Sequence, residues 1–322
     1  MGSAVSSYLA THCLIERNTG QRVSESTPLS TTLRAAFLYN SWPGRLLLRL
    51  PITWWLLNIE HKRLAKWASS PGSKKAIKSM IKTYRINPDD AERPVEQYAT
   101  MQDFFTRELK AGARPIKDPD DPSVAVLPAD CRVVVYPSVQ EATRLWIKGS
   151  HFSVPALLGP GYRADDWGDA AIAVTRLSPA DCHRLHAPVP GRVARVTRAG
   201  RRHMASLWVA VHSAVDVMVE NERLVMLFET ERFGPVAMAM IGASDVGSVQ
   251  PLVKEGATVR KGDEVGVFAF GGSIVVTAFQ RGAIAFDADL AANSARRCET
   301  RANMGSGLGR AAHARAPAAA AE

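Results

Sequence analysis

From about residue 124 onward, short runs rich in Val, Ile, Ala and Leu alternate with Gly, Pro and Asp: VAVLP, RVVVYP, AAIAVTRL, RVARVTR, LWVAVH, RLVMLFE, PVAMAMIG, DEVGVFAF and SIVVTAF. Apolar runs of strand length at regular spacing predict a mainly β region of sandwich or barrel-like form. Upstream the period changes. Leu46, Leu47, Leu48, Leu50, Leu56, Leu57 and Ile59 lie among Trp42, Trp54, Trp55 and Trp67, punctuated by Arg45, Arg49, Lys62, Arg63 and Lys66. That pattern predicts helices, which Pro51 divides into two short ones because proline lacks the N–H a helix interior needs. Ile77, Met80 and Ile81 with Lys74, Lys75, Lys78 and Lys82 predict a further basic amphipathic helix over 73–84. Residues 101–110, MQDFFTRELK, read as another, closed by Gly112 and Pro115. Residues 1–34 are polar without a period and predict a mobile tail. The fold class is therefore α+β. N-terminal basic amphipathic helices over 35–120 are followed by a mainly β sandwich or barrel-like unit over 121–310, and the AAHARAPAAAAE end beyond 310 is low in complexity.

Composition narrows the picture. The 322 residues are 46% hydrophobic, enough for a packed core, and the net charge of +9 suits an anionic surface. A Trp-, Leu- and Arg/Lys-rich front end favours helices lying in a lipid interface over an ordinary core-packing helical pair, because such helices seat rings at headgroup level and cations near phosphates. No apolar run reaches the roughly 18–20 residues that span a bilayer. Met1-Gly2-Ser3-Ala4-Val5-Ser6 fits an N-myristoylation pattern. Cys13, Cys131, Cys182 and Cys298 are widely spaced with no CxxC pair, which suggests neither a zinc site nor a disulfide framework and makes a reducing compartment the default.

Three places in the β region carry chemistry. They are Pro128-Ala129-Asp130, then Asp181-Cys182-His183-Arg184-Leu185-His186, then Phe270-Gly271-Gly272-Ser273 between apolar strands. A serine, histidines and an aspartate supply a nucleophile, a base and an orienting acid. Each also has a plain structural reading: a turn cap, hydrogen-bonded histidines and a glycine turn. A metal site would need a third ligand beside His183 and His186 that the sequence does not place.

The motifs taken together and in order resemble the phosphatidylserine decarboxylase family. They are Phe104-Phe105-Thr106-Arg107-Glu108-Leu109-Lys110 with Arg114-Pro115, Pro128-Ala129-Asp130, Ile147-Lys148-Gly149, Leu157-Leu158-Gly159, Leu177-Ser178-Pro179, and Asp181 through His186. They continue with Glu220-Asn221-Glu222-Arg223, Ile241-Gly242-Ala243, Val246-Gly247-Ser248, and Lys261-Gly262-Asp263-Glu264 into Phe268–Ser273. Gly271-Gly272-Ser273, Phe286-Asp287-Ala288-Asp289-Leu290 and Glu299-Thr300 look like the type II branch of eukaryotic endomembranes. The resemblance implies self-cleavage between Gly272 and Ser273, with Ser273 becoming a covalent pyruvoyl cofactor. It assigns His186 as the base for the Ser273 hydroxyl, Asp130 as its orienting acid and His183 as the proton donor to product. It further implies a phospholipid substrate, a membrane surface, two associated fragments, a homodimer, a peripheral endomembrane location, and neither metal nor nucleic acid.

This sequence departs from the family pattern at Ile274, where a hydroxyl residue is usual, at Cys182 for Tyr, and at Arg301-Ala302 after Glu299-Thr300. Two other functions stay open: a pyruvoyl decarboxylase of free aromatic amino acids, and an uncleaved pseudoenzyme that binds membranes. The turn Lys254–Asp263 also looks like a lipoyl-carrier turn, but no lysine follows Lys261 to serve as the acceptor.

Overall fold

The computed structural model describes residues 13–24, 29–145, 152–205, 208–213, 215–242, 249–269 and 273–312. Expectations for the myristoylation pattern, Ile147-Lys148-Gly149, Ala243, Val246-Gly247-Ser248, Gly272 and the last ten residues lie outside these. The front end is helical. Helix α1 (Leu29–Asn40) is followed by α2 (Trp42–Leu47), capped by Ser41, whose Oγ accepts the Gly44 N–H at 3.0 Å. Gly44 lets the two helices touch, since a Cβ there would lie 2.1 Å from the Phe37 carbonyl. Helix α3 (Pro51–Ala68) begins on the dividing proline, as expected, but runs 18 residues and is not short. The 73–84 stretch becomes a 3-10 turn (Pro71–Ala76) and α4 (Ile77–Tyr84), burying Ile77 and Met80 and exposing the four lysines. Helix α5 covers only Met101–Phe105. Residues 106–110 leave the helical path because Arg107 is drawn inward to the Ala180 carbonyl at 2.8 Å and Lys110 N–H donates to Asp90 O at 2.9 Å.

The β unit comprises β1 (Cys13–Glu16), β2 (Arg22–Val23), β3 (Val124–Val126), β4 (Cys131–Tyr136), β5 (Ala171–Leu177), β6 (Arg184–His186), β7 (Gly191–Ala199) and β8 (Arg223–Thr230). It continues with β9 (Gly234–Gly242), β10 (Val249–Pro251), β11 (Thr258–Val259), β12 (Glu264–Phe268), β13 (Ser273–Phe279), β14 (Ile284–Phe286), β15 (Cys298–Ala302) and β16 (Gly307–Ala311). Ten strands form one sheet in the order β11-β7-β8-β9-β13-β5-β4-β15-β1-β2, and β10-β12-β6 and β14-β16-β3 form two smaller ones. Every pair is antiparallel except β1 with β15. The large sheet does not close: β11 and β2 are its edges, so the barrel-like expectation gives way to a layered form.

Successive residues of a strand face opposite sides, and here both sides are covered. Val275 and Phe279 join Met238, Met240, Leu185, Val265 and Leu308 in a core shared with the two small sheets. Ile274, Val276 and Ala278 join Val174, Leu157, Trp167 and Met218 in a second core under short helices. All seven residues of both β5 and β13 are consequently buried, and each large aliphatic side chain removed from water contributes about 1.5–3 kcal/mol.

Three further expectations fail: a strand at LWVAVH, a mobile tail through residue 34 and the absence of a disulfide. The described residues of LWVAVH form a helical turn (Trp208–Val211) and no strand. Residues 13–23, expected in a mobile tail, add β1 and β2 to the sheet edge, and Cys13 is joined to Cys298 by a disulfide. A separation of 285 residues hides that pair from any spacing rule.

Candidate active site

Ser273 is the first residue of β13, in register with Leu177 at the end of β5 and Gly242 at the end of β9. Its Oγ is buried and has no hydrogen-bond partner among the described residues. A polar hydroxyl left unsatisfied in a protein interior is costly, which marks the position as held for something other than stability. Ile274 beside it is fully buried in the second core, so the missing hydroxyl of this chain is replaced by packing.

Beyond Leu177 the chain turns through a braced loop. Asp181 accepts the Ser178 N–H at 2.7 Å and pairs with Arg132, a buried guanidinium reaching from β4. The loop delivers His183, which is fully buried with its ring 3.8 Å from that of Phe105 and edge-on to Phe268. His183 Nδ1 lies 2.9 Å from the Asp181 carbonyl, so the neutral ring carries its proton there and its lone pair on Nε2. His186 ends β6. Its Nδ1 faces the Pro128 carbonyl at 3.3 Å, and its Nε2 lies 3.9 Å from Glu264. Burial pushes the His186 pKa down. The Glu264 charge, the Pro128 carbonyl and Asp130 oppose that without reversing it, so the ring is a neutral base near pH 7.

The small sheet links the histidines to the serine. Phe268 N–H donates to His183 O at 3.0 Å at the end of β12, and β13 is the next strand. Five residue steps from Phe268 to Ser273 span at most about 18 Å even when fully extended. His183 and Ser273 are thus tied to the same end of the sheet.

Asp130 is placed differently from expectation. Its carboxylate takes Arg114 in a two-pronged bond (Nε to Oδ1 at 2.9 Å, Nη2 to Oδ2 at 2.9 Å) and the Met304 N–H at 2.8 Å. It makes no hydrogen bond to His186. The two residues are connected through the backbone, where His186 N–H donates to Pro128 O at 2.8 Å. The Asp130 charge therefore raises the His186 pKa against burial without a hydrogen bond, while its bonds to Arg114 and Met304 hold its own loop. Arg114, which sequence reasoning carried only as part of a motif, is the residue that fixes it, and Glu264 is the carboxylate nearest the His186 ring.

The motif order also acquires a physical cause. Arg184 Nε donates to Thr106 O at 3.0 Å, and Cys182 Sγ donates to Arg107 O at 3.5 Å, so the Phe104–Lys110 stretch packs directly on the histidine loop. Burial raises the Cys182 thiol to about 11 and raises Cys131 as well, which makes both inert. Lys261 donates to the carbonyls of Asp118 and Asp121 at 2.6 and 2.9 Å, which removes it as an acceptor lysine. A cavity of about 610 Å³ opens beside Asp130, with Arg107, Arg114, Arg132, Asp181 and Arg301 on its wall. Among the described residues Arg107 makes no ion pair, although it is buried.

Known proteins resemble the chain over most of its length. Residues 101–310 match the family model described as phosphatidylserine decarboxylase. The chain is 40% identical over 304 residues to phosphatidylserine decarboxylase proenzyme 2 of Oryza sativa subsp. japonica, covering 93% of this chain and 49% of that protein. It is 36% identical over 307 residues to proenzyme 3 of Schizosaccharomyces pombe, covering 95% of this chain and 32% of that one. It is 33% identical over 299 residues to the proenzyme of Fusobacterium nucleatum subsp. nucleatum, covering 92% and 96%. The chain thus spans about half the length of the rice relative and about a third of the fission-yeast one.

Proposed function

Because the chain belongs to the phosphatidylserine decarboxylase family, we propose that it converts phosphatidylserine to phosphatidylethanolamine and carbon dioxide, with a pyruvoyl group made from Ser273 by self-cleavage after Gly272. The observation that carries this reading is the buried Ser273 hydroxyl at the head of β13, without a hydrogen-bond partner among the described residues, with buried His183 held through its carbonyl to Phe268, five residues before Ser273. The word proenzyme in the relatives' names supports maturation by cleavage.

The residues divide the work as follows. His186 Nε2, kept neutral by burial, takes the Ser273 proton as Oγ attacks the carbonyl carbon of Gly272. The amide bond becomes an ester, elimination across Cα–Cβ of residue 273 releases the Gly272 carboxylate, and water removes the nitrogen as ammonia. The pyruvoyl ketone, once formed, supplies the electron sink for loss of the substrate carboxylate. His183 Nε2, which must first take up a proton because its lone pair faces the site in the neutral ring, then returns that proton to the carbon that lost carbon dioxide. Its stacking on Phe105 and its bond to Asp181 O fix the ring for that delivery. Arg107, buried without a carboxylate partner beside the polar cavity, suits the anionic part of the headgroup.

Peripheral contact with a lipid surface follows from the front end. Trp42 is 73% exposed and Trp55 58%, with Leu46, Ile52 and Leu56 exposed beside them and Arg45, Arg49, Lys62 and Lys66 around them. No helix among the described residues is long and apolar enough to cross a membrane.

The test is intact-mass analysis under reducing, denaturing conditions of wild type beside Ser273→Ala, followed by assay of the wild type. Chains of 1–272 and 273–322 in the wild type alone, with carbon dioxide released from phosphatidylserine vesicles, are expected. Release from free aromatic amino acids alone would assign the other substrate class, and a whole wild-type chain would overturn the mechanism.

A further inference from the structure

The disulfide lies across the proposed cut. Cys13 belongs to the 1–272 product and Cys298 to the 273–322 product. We propose that this bond survives maturation and joins the two product chains covalently, with the 13–23 hairpin as a clasp. The inference rests on the cleavage reading above and goes beyond it, since noncovalent association of the fragments requires no bond.

The register makes the contact specific. Strand β1 is the one strand that pairs in parallel with β15, and Cys13 stands directly opposite Cys298 with Cα atoms 4.6 Å apart, which is within the span that a disulfide needs. Both cysteines are buried. Among the described residues the ion pairs of this segment also go to the second product. Arg17 pairs with Asp287 and Asp289 at 2.8 Å, and its N–H donates to Arg301 O at 3.0 Å. Glu16 pairs with Arg301. The clasp strands themselves are only four and two residues long, so they gain little from ladder hydrogen bonds alone.

The cross-link forms by thiol exchange with a low-molecular-weight disulfide. One cysteine thiolate attacks it and releases one thiol, and the other cysteine then displaces the second thiol. Two protein thiols are thereby oxidised as one small disulfide is reduced to two thiols. Cys131 and Cys182 do not compete, because both are buried thiols with raised pKa values.

The consequence is thermodynamic. Without the link, unfolding of the mature protein releases two chains, and refolding depends on protein concentration. With it the chains stay at a high effective concentration, and refolding is unimolecular.

The experiment treats purified full chain with oxidised glutathione, alkylates free thiols and measures mass under denaturing conditions with and without reductant, for wild type, Cys13→Ser and Cys298→Ser. Wild type is expected as one species before reduction and as 1–272 plus 273–322 after it, whereas both variants give two species throughout. Two wild-type species without reductant would overturn the cross-link while leaving cleavage standing. A whole chain after reduction would overturn the cleavage reading and the link together. The recovered native fraction of the cleaved variants should fall at least several-fold on tenfold dilution, whereas that of wild type stays constant.

Discussion

The head of β13 and the helical front end treat apolar residues in opposite ways. In β13 every side chain is buried between strands on both sides and cores on both faces, so the chain satisfies its own hydrophobic surface and positions one hydroxyl. In α2 and α3 large apolar side chains stand in solvent beside basic ones, which is the surface that the proposed lipid contact would cover. The difference separates the proposed seat of chemistry from the proposed lipid-facing surface, and it can be tested by substitutions that harm one and spare the other.

The largest effect is expected at Ser273. Ser273→Ala should abolish cleavage while the fold persists, because the lost hydroxyl makes no hydrogen bond among the described residues. His186→Gln should slow cleavage about 10²–10⁴-fold, the usual worth of a general base. Gel densitometry against time, with circular dichroism as the folding control, measures both. Normal cleavage in His186→Gln would remove it from the mechanism.

Next comes the ion pair that ties the second product into the sheet. Glu299 on β15 and Arg176 on β5 are both buried and bonded twice, at 3.0 and 2.7 Å. Removing one partner strands the other charge, so Glu299→Ala should cost about 3–5 kcal/mol in urea unfolding. A loss below 1 kcal/mol would show that water reaches Arg176. The Glu299-Thr300 motif is thus structural, and Arg301-Ala302 after it serves the β1 edge.

Neighbouring tryptophans sharpen the contrast further. Trp54 Nε1 donates to Leu48 O at 2.6 Å and lies under Arg202, whereas Trp55 is exposed. Trp55→Ser should weaken binding to phosphatidylserine vesicles by about tenfold or more, from about 1.5–3 kcal/mol of burial forgone, with the melting temperature unchanged. Trp54→Ser should lower the melting temperature. If Trp55→Ser binds vesicles as wild type does, the front end meets something other than lipid.

How far the sequence could be read follows the same division. Strands β4, β5, β8, β9, β12 and β13 were legible because each is an apolar run bounded by turn residues. LWVAVH looked the same but is a single helical turn, since a short apolar run carries no period of its own. Strands β1, β15 and β16 were missed because CLIE, CETRA and GLGRA are polar on one or both faces and owe their state to partners far along the chain. The candidate site residues were named through motif order. Their geometry was not legible: nothing in Pro128-Ala129-Asp130 reveals that Arg114 takes the carboxylate, or that His186 leans on Pro128 O. The disulfide was hidden for the same reason, because pairing of Cys13 with Cys298 is a property of register.

The smallest effect concerns acid. His186 is buried with its pKa lowered, chiefly by desolvation, and His61 is lowered by burial and by His203. A group that binds its proton more weakly when folded leaves the unfolded chain holding more protons as pH falls through the ordinary histidine value near 6.5. Stability contributed by neutral His186 and His61 is therefore fully present above that pH and is lost as pH falls below it. Cleavage should hold its rate over the same upper range and decline only below the lowered pKa of His186. The urea midpoint should consequently begin to fall at a higher pH than the cleavage rate does, and His61→Gln should flatten the first curve without moving the second. Coincident declines would mean that the His186 that titrates in the folded protein is exposed, which would contradict the burial that makes it a neutral base.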